Sequence, residues 1–173
     1  REVCDRMSHE FWYLSRAAGI TAYLLLFASV AVGMASNMKL AGRSMPRVVS
    51  FELHRVVSLL ALAFTLFHVY VLLGDEYFSF SIRELTVPFA SPYHPWQTAL
   101  GVFGLWTLVA VVASSYVRHL ISLRTWRAIH YLSFALYGLA TFHGIASGAD
   151  TRAFWASAMY LGTGLIVLTL VLY

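Results

Sequence analysis

Residues 52–73 read ELHRVVSLLALAFTLFHVYVLL, an apolar run carrying two histidines, His54 and His68. About twenty such residues suffice for a helix to cross a bilayer. Fourteen helical steps come close to four full turns, so both imidazoles leave nearly the same face, roughly 21 Å apart along the axis. One would then lie near each edge of the hydrocarbon core. Residues 126–148, WRAIHYLSFALYGLATFHGIASG, repeat the arrangement with His130 and His143. The chain between the two runs lets both cross in the same direction. The four histidines can therefore pair at two depths, His54 with His130 and His68 with His143.

A single histidine in a soluble core is an ordinary hydrogen-bonded residue. Inside a membrane span ionisable groups are costly and mark function. Paired neutral imidazoles from two apolar helices suit a planar iron porphyrin, which takes one axial nitrogen on each side and an apolar slot between. Two depths predict two haems, with His54, His68, His130 and His143 as iron ligands.

The composition agrees with a membrane setting. Hydrophobic residues make up 60% of the 173, charged residues 12%, and mean hydropathy is +0.70, well outside the range of a soluble domain. The expected fold is all-α: a polytopic bundle of about five transmembrane helices, near 11–35, 52–73, 97–117, 126–147 and 154–172, forming one domain over 1–173. The single cysteine, Cys4, excludes internal disulfides, a cysteine-ligated iron–sulfur cluster and the paired-cysteine signature of covalent haem attachment. Any haem is then held noncovalently, as a b-type. The formal charge of +4 and pI near 9.4 do not indicate nucleic acid, because the basic residues are spread over short interhelical loops. The chain opens at Arg1, without an initiator methionine or a signal-peptide pattern, which leaves room for residues upstream and an additional helix.

The first predicted helix opens on the interfacial aromatics Trp12 and Tyr13, with Arg16 a turn inside. Arg16 has two readings: it snorkels to the lipid headgroups, or it meets a haem propionate. Arg55 stands beside the first histidine and is a second candidate contact for the cofactor. Counting Lys and Arg, the segments after the first and third helices, with their flanks, hold seven, and those after the second and fourth hold two. The basic loops 36–50 and 118–127 should be cytoplasmic. The segment from Gly74 to Trp96 is acidic, contains Pro88, Pro92 and Pro95, and is rich in aromatics, which suggests a lid lying on the membrane surface. The third helix has no interior ionisable residue, and Gly101 and Gly104 offer a face for close packing. In the fourth, thirteen steps leave His130 and His143 roughly 140° apart around an ideal helix, so an irregularity or marked bend is expected between about Tyr137 and His143, near Gly138.

The residues around the histidines resemble a known family. Leu53-His54-Arg55 with Ser58-Leu59-Leu60, Trp126-Arg127-x-x-His130-Tyr131-Leu132-Ser133, and Trp12-Tyr13-Leu14-x-Arg16-Ala17-x-Gly19 are similar to bacterial members of the ferric reductase-like transmembrane domain family. That family includes NADPH oxidases, eukaryotic ferric reductases and the haem subunit of a periplasmic methionine sulfoxide reductase system. The resemblance implies a multi-pass protein of the bacterial inner membrane. It would pass electrons from a cytoplasmic donor through an inner haem, on His54 and His130, and an outer haem, on His68 and His143, to an external acceptor. No Gly-x-Gly-x-x-Gly occurs, so the expected donor is a separate flavoprotein or a quinol, with the chain acting alone or within a larger membrane redox complex. A different class, a structural or assembly subunit whose haem only stabilises the bundle, is the alternative. A transporter or proton pump is disfavoured because the acidic residues fall in loops or at a helix entry rather than at the midplane.

Overall fold

The computed structural model describes residues 2–37, 46–75 and 79–173, and the described residues form α-helices and one 3₁₀ turn without strands. The helices are α1 (Glu2–Asn37), α2 (Arg47–Leu73), α3 (Ile82–Thr86), α4 (Pro95–Tyr116), α5 (Leu123–Ser147) and α6 (Phe154–Leu172), with the 3₁₀ turn at Arg118–Leu120. Local chemistry sets the boundaries. Pro46 precedes α2 at φ −58° and Pro95 opens α4, positions where a missing N–H costs no helical bond. The Ser122 hydroxyl accepts the Thr125 N–H at 3.0 Å and caps α5, while Gly74 and Gly148 follow the ends of α2 and α5.

Five long helices stand where five spans were predicted, with two corrections. Four are apolar enough by composition to cross a membrane: residues 10–36 of α1, then α2, α4 and α6. The fifth, α5, is long enough at 25 residues but carries Arg124, Arg127, His130, Ser133, Thr141 and His143, which lower its hydropathy. Helices also run past their apolar stretches, since hydropathy locates the bilayer-length part and the backbone ladder continues beyond it. Thus α1 begins at Glu2 and α2 at Arg47, and residues 36–37 and 47–50 of the predicted loop are helix. Lys39 and Arg43 of that loop lie outside the described residues.

Two antiparallel hairpins form the bundle. In the first, Gly19 of α1 meets His68 of α2 and Gly33 meets His54. In the second, Gly101 of α4 meets His143 of α5, and Gly104 meets Leu136. Leu26, Ala61, Leu108 and Leu136, one from each of the four helices, form a buried layer between them. A second cluster, Tyr23, Val30, Tyr137 and Val167, joins α6 to α1 and α5. There Thr163 donates to Met159 O at 2.8 Å, so the Tyr23 hydroxyl donates to Thr163 Oγ1 at 2.6 Å and is left to accept from the Tyr137 hydroxyl at 3.2 Å.

The long connection contains α3, which the prolines had concealed. Trp106 of α4 donates its indole N–H to Thr86 O at 2.8 Å, and Phe89 packs edge-on against Trp96 and Phe103. A capping box starts α3: the Ser81 hydroxyl accepts the Glu84 N–H, and the Glu84 carboxylate accepts from the Ser81 N–H at 2.7 Å and its hydroxyl at 2.8 Å. Those two donors, the N–H first, hold the Glu84 carboxyl below its usual range. A depressed carboxyl stabilises the cap fully above its unfolded value and loses that contribution as pH falls through the folded one. Amide exchange at Ser81 should therefore stay slow from neutral pH down past the ordinary carboxylate range and accelerate only in stronger acid. Glu84→Gln should abolish that acid transition.

Candidate functional site

Three of the four histidines of α2 and α5 are seated by the same device. His68 Nδ1 donates to Ser15 O at 2.8 Å, His54 Nδ1 to Ser29 O at 2.9 Å, and His143 Nδ1 to Gln97 O at 2.8 Å. A carbonyl can only accept, so Nδ1 carries the proton and Nε2 keeps its lone pair. Each accepting carbonyl sits four residues before a glycine: Ser15 before Gly19, Ser29 before Gly33, Gln97 before Gly101. Side chains on a helix tilt toward its N-terminus, so the residue at i+4 overhangs the carbonyl at i, and a glycine there opens it. A Cβ would come within 3.2 Å of the His68 ring at Gly19, 3.2 Å of the His54 ring at Gly33, and 2.8 Å of the His143 ring at Gly101. Serine hydroxyls supplement the first two, Ser15 Oγ at 3.4 Å from His68 Nδ1 and Ser29 Oγ at 3.3 Å from His54 Nδ1.

The predicted levels are recognisable. His54 and His130 face each other with ring centroids 6.0 Å apart. His68 and His143 line a common cavity of about 510 Å³, which runs from a mouth at Arg16, His94 and Asp150 down to Leu26, Leu108 and Leu136. Its volume lies in the range of small-molecule pockets, and its walls are mainly apolar with a few polar groups. Arg16 is at this mouth, ion-paired with Asp150 of the α5–α6 turn and lying over the Trp12 ring at 5.1 Å. Both charges are largely shielded from solvent. Arg55 is not brought to the imidazoles. It is exposed, with Glu52 at 3.7 Å, an arrangement that contributes little.

The helix α5 is unbroken from Leu123 to Ser147, with no change of helix type between Tyr137 and His143, so the expected tighter turn is not present. Gly138 borders open space. The 140° offset is met by using two sides of the helix: His143 packs on α4, and His130 turns to α2. His130 Nδ1 is buried with no hydrogen-bond partner among the described residues.

Sequence reading named the imidazoles but not their seats. The signal was present in α1: Ser15-x-x-x-Gly19 recurs as Ser29-x-x-x-Gly33 at an offset of fourteen, the His54–His68 spacing. Asp150, the partner of Arg16, comes from a turn that hydropathy reads only as a break.

The profile of the family described as ferric reductase like transmembrane component matches residues 18–141. The chain belongs to that family, and it is a multi-pass membrane redox component in contact with lipid. No curated protein and no solved structure matches the chain.

The glycine seats can be tested without a cofactor. Gly101→Ala should lower bundle stability by about 1–3 kcal/mol, the usual cost of overpacking, because the His143 ring has no room to yield without losing Gln97 O. Gly138→Ala, into open space, should be neutral or stabilising by up to about 1 kcal/mol from helix propensity. Unfolding in mixed micelles would order the two variants.

Proposed function

We propose that the protein conducts electrons across the membrane through two noncovalent b-type haems, one held by His54 and His130 and the other by His68 and His143. The observation that carries this reading is the presentation of the imidazoles, three of them with Nδ1 bound to a carbonyl and Nε2 free, in pairs at two depths. The His54 and His130 rings, with centroids 6.0 Å apart and planes 67° from parallel, would supply two nitrogen ligands to one haem iron. The donors come in twos, which suits a metal whose other four ligands are supplied by a macrocycle. At the second level the cavity provides an apolar slot with a charged mouth.

When bound, the haem iron supplies a one-electron couple at each level. The protein's own residues fix the ligands. The carbonyls of Ser15, Ser29 and Gln97 hold the ring tautomer and raise the basicity of the imidazoles they bind. The layer of Leu26, Ala61, Leu108 and Leu136 keeps water from linking the two levels. Arg16, paired with Asp150, places a cation at the mouth of the outer slot, where an anionic substituent would exchange for the carboxylate.

In this reading α5 crosses the membrane with the other four long helices, since its polar side chains include both ligands. The basic segments 36–50 and 118–127 lie in the cytoplasm of a bacterial cell, which makes His54 and His130 the inner pair. A separate flavoprotein or a quinol supplies electrons there, in a larger complex or alone, and the acceptor approaches the α3 segment outside.

Purified protein should contain two haems per chain, both reducible by dithionite, and His68→Ala should retain one. A folded preparation without haem absorbance would refute the proposal. Loss of both haems from folded His68→Ala would refute independent levels.

A further inference from the structure

Three imidazoles have a carbonyl and a glycine, and the fourth has neither. Continuing the α4 register, fourteen residues on from Gln97 and Gly101 are Val111 and Ser115. Ser115 stands where the glycine would be, and its hydroxyl donates to Val111 O at 3.1 Å, as does that of Ser114 at 2.9 Å. The carbonyl that a fourth seat would use is therefore taken by serines. On α5 the corresponding position fourteen residues before His143 is Ile129, and His130 is one step, about 100°, away from it. Its ring lies instead against Trp126, one turn earlier, with centroids 4.9 Å apart and planes 24° from parallel. The indole is itself held. Its N–H points at Ser115 Oγ at 3.4 Å, and the Arg118 guanidinium lies 4.7 Å from its centre.

We propose that Trp126 is the positioning residue for His130, its indole face, fixed by Ser115 and Arg118, doing for this ring what a carbonyl does for the other three. The inference rests on the haem reading for its consequence but not for its geometry. A stacked ring is restrained in tilt yet free to slide in its plane, and the His130 Nδ1 has no hydrogen-bond partner among the described residues. His130 is thus the least basic and least fixed ligand of the four. The pair it forms with His54 is asymmetric, one ligand anchored by a hydrogen bond and one by a ring face, whereas the pair of His68 and His143 is anchored by hydrogen bonds on both sides.

Trp126→Phe keeps an aromatic face, and Trp126→Leu keeps apolar bulk without one. Low-spin ferric EPR and redox titration of the haem-loaded protein in nanodiscs should resolve two components. Trp126→Leu should shift or lose one component, Trp126→Phe, which keeps a ring face but not the bond to Ser115, should shift the same component less, and Gly101→Ala should affect the other. Two unchanged components in Trp126→Leu, or the same component altered in Trp126→Leu and Gly101→Ala, would overturn the proposal. If Trp126→Leu yields no folded protein, Ser115→Ala decides, since it releases the indole edge while Ser114 keeps Val111 O occupied: a shifted His130 component supports the proposal and a parent-like one overturns it. If the parent binds no haem, the reading under Proposed function fails, and ¹⁵N-histidine spectra of the haem-free protein test positioning by themselves. A His130 Nδ1 resonance that moves in Trp126→Leu supports it, and one that stays overturns it.

Discussion

A histidine N–H donating to a helix carbonyl is the interaction on which this bundle turns. In hydrocarbon no water is available to satisfy a ring nitrogen, and a helix carbonyl already accepting its own i+4 N–H has one lone pair left. Reaching it requires that nothing overhang it. A glycine inside a helix costs about 1 kcal/mol against alanine, whereas a buried donor left unmet costs about 1–3 kcal/mol. The glycine is the smaller cost, and Gly19, Gly33 and Gly101 are placed accordingly. The same bond fixes which nitrogen remains free, so one contact sets both the packing and the nitrogen open to a partner.

Spacing explains how α1 and α2 repeat the device. Along α1 the residues toward α2 fall at Ser15, Gly19, Ala22, Leu26, Ser29 and Gly33, alternating steps of four and three, while α2 contributes His54, Ala61 and His68 at steps of seven. That is the seam of two supercoiled helices, with 3.5 residues per turn. Fourteen residues are four turns of such a seam, so both histidines stay on it and the 40° residue of an ideal straight helix vanishes. Thirteen residues on α5 do not fit the repeat. The mismatch is met in the surroundings of His130, without a change of helix type in α5.

Much of the fold was legible because apolar length and charge report the bilayer directly. The five predicted segments and the four imidazoles needed nothing beyond counting. The helix ends were less legible, since the backbone ladder of α1 and α2 continues where apolar character stops. Helix α3 was hidden by Pro88, Pro92 and Pro95, although Ser81 and Glu84 carry the capping-box spacing. The partner of Arg16 was out of reach, because pairing with Asp150 depends on how the α5–α6 turn meets α1, and no local pattern encodes that. Arg55 was read from its adjacency to His54, but adjacent helical residues point about 100° apart, and adjacency along the chain is poor evidence of a shared site.

Helix α6 supplies no histidine, yet it lines the cavity with Trp155, Met159 and Tyr160 and bears on the site through α1 as well. The residues of α1 that face away from α2, Tyr23, Phe27, Val30 and Met34, pack with α5 and α6, and the Tyr23 hydroxyl is bound between Thr163 and Tyr137. Rotating α1 by one residue would break that bond and carry the carbonyls of Ser15 and Ser29 off the α2 seam together. The polar group at mid-depth is thus kept on the outer side of α1, leaving Ala61, fully buried midway between His54 and His68, in an apolar layer. Because both anchors of α2 lie on one rigid helix, α6 fixes the two levels jointly, and the site's precision depends on a helix that supplies none of the four imidazoles.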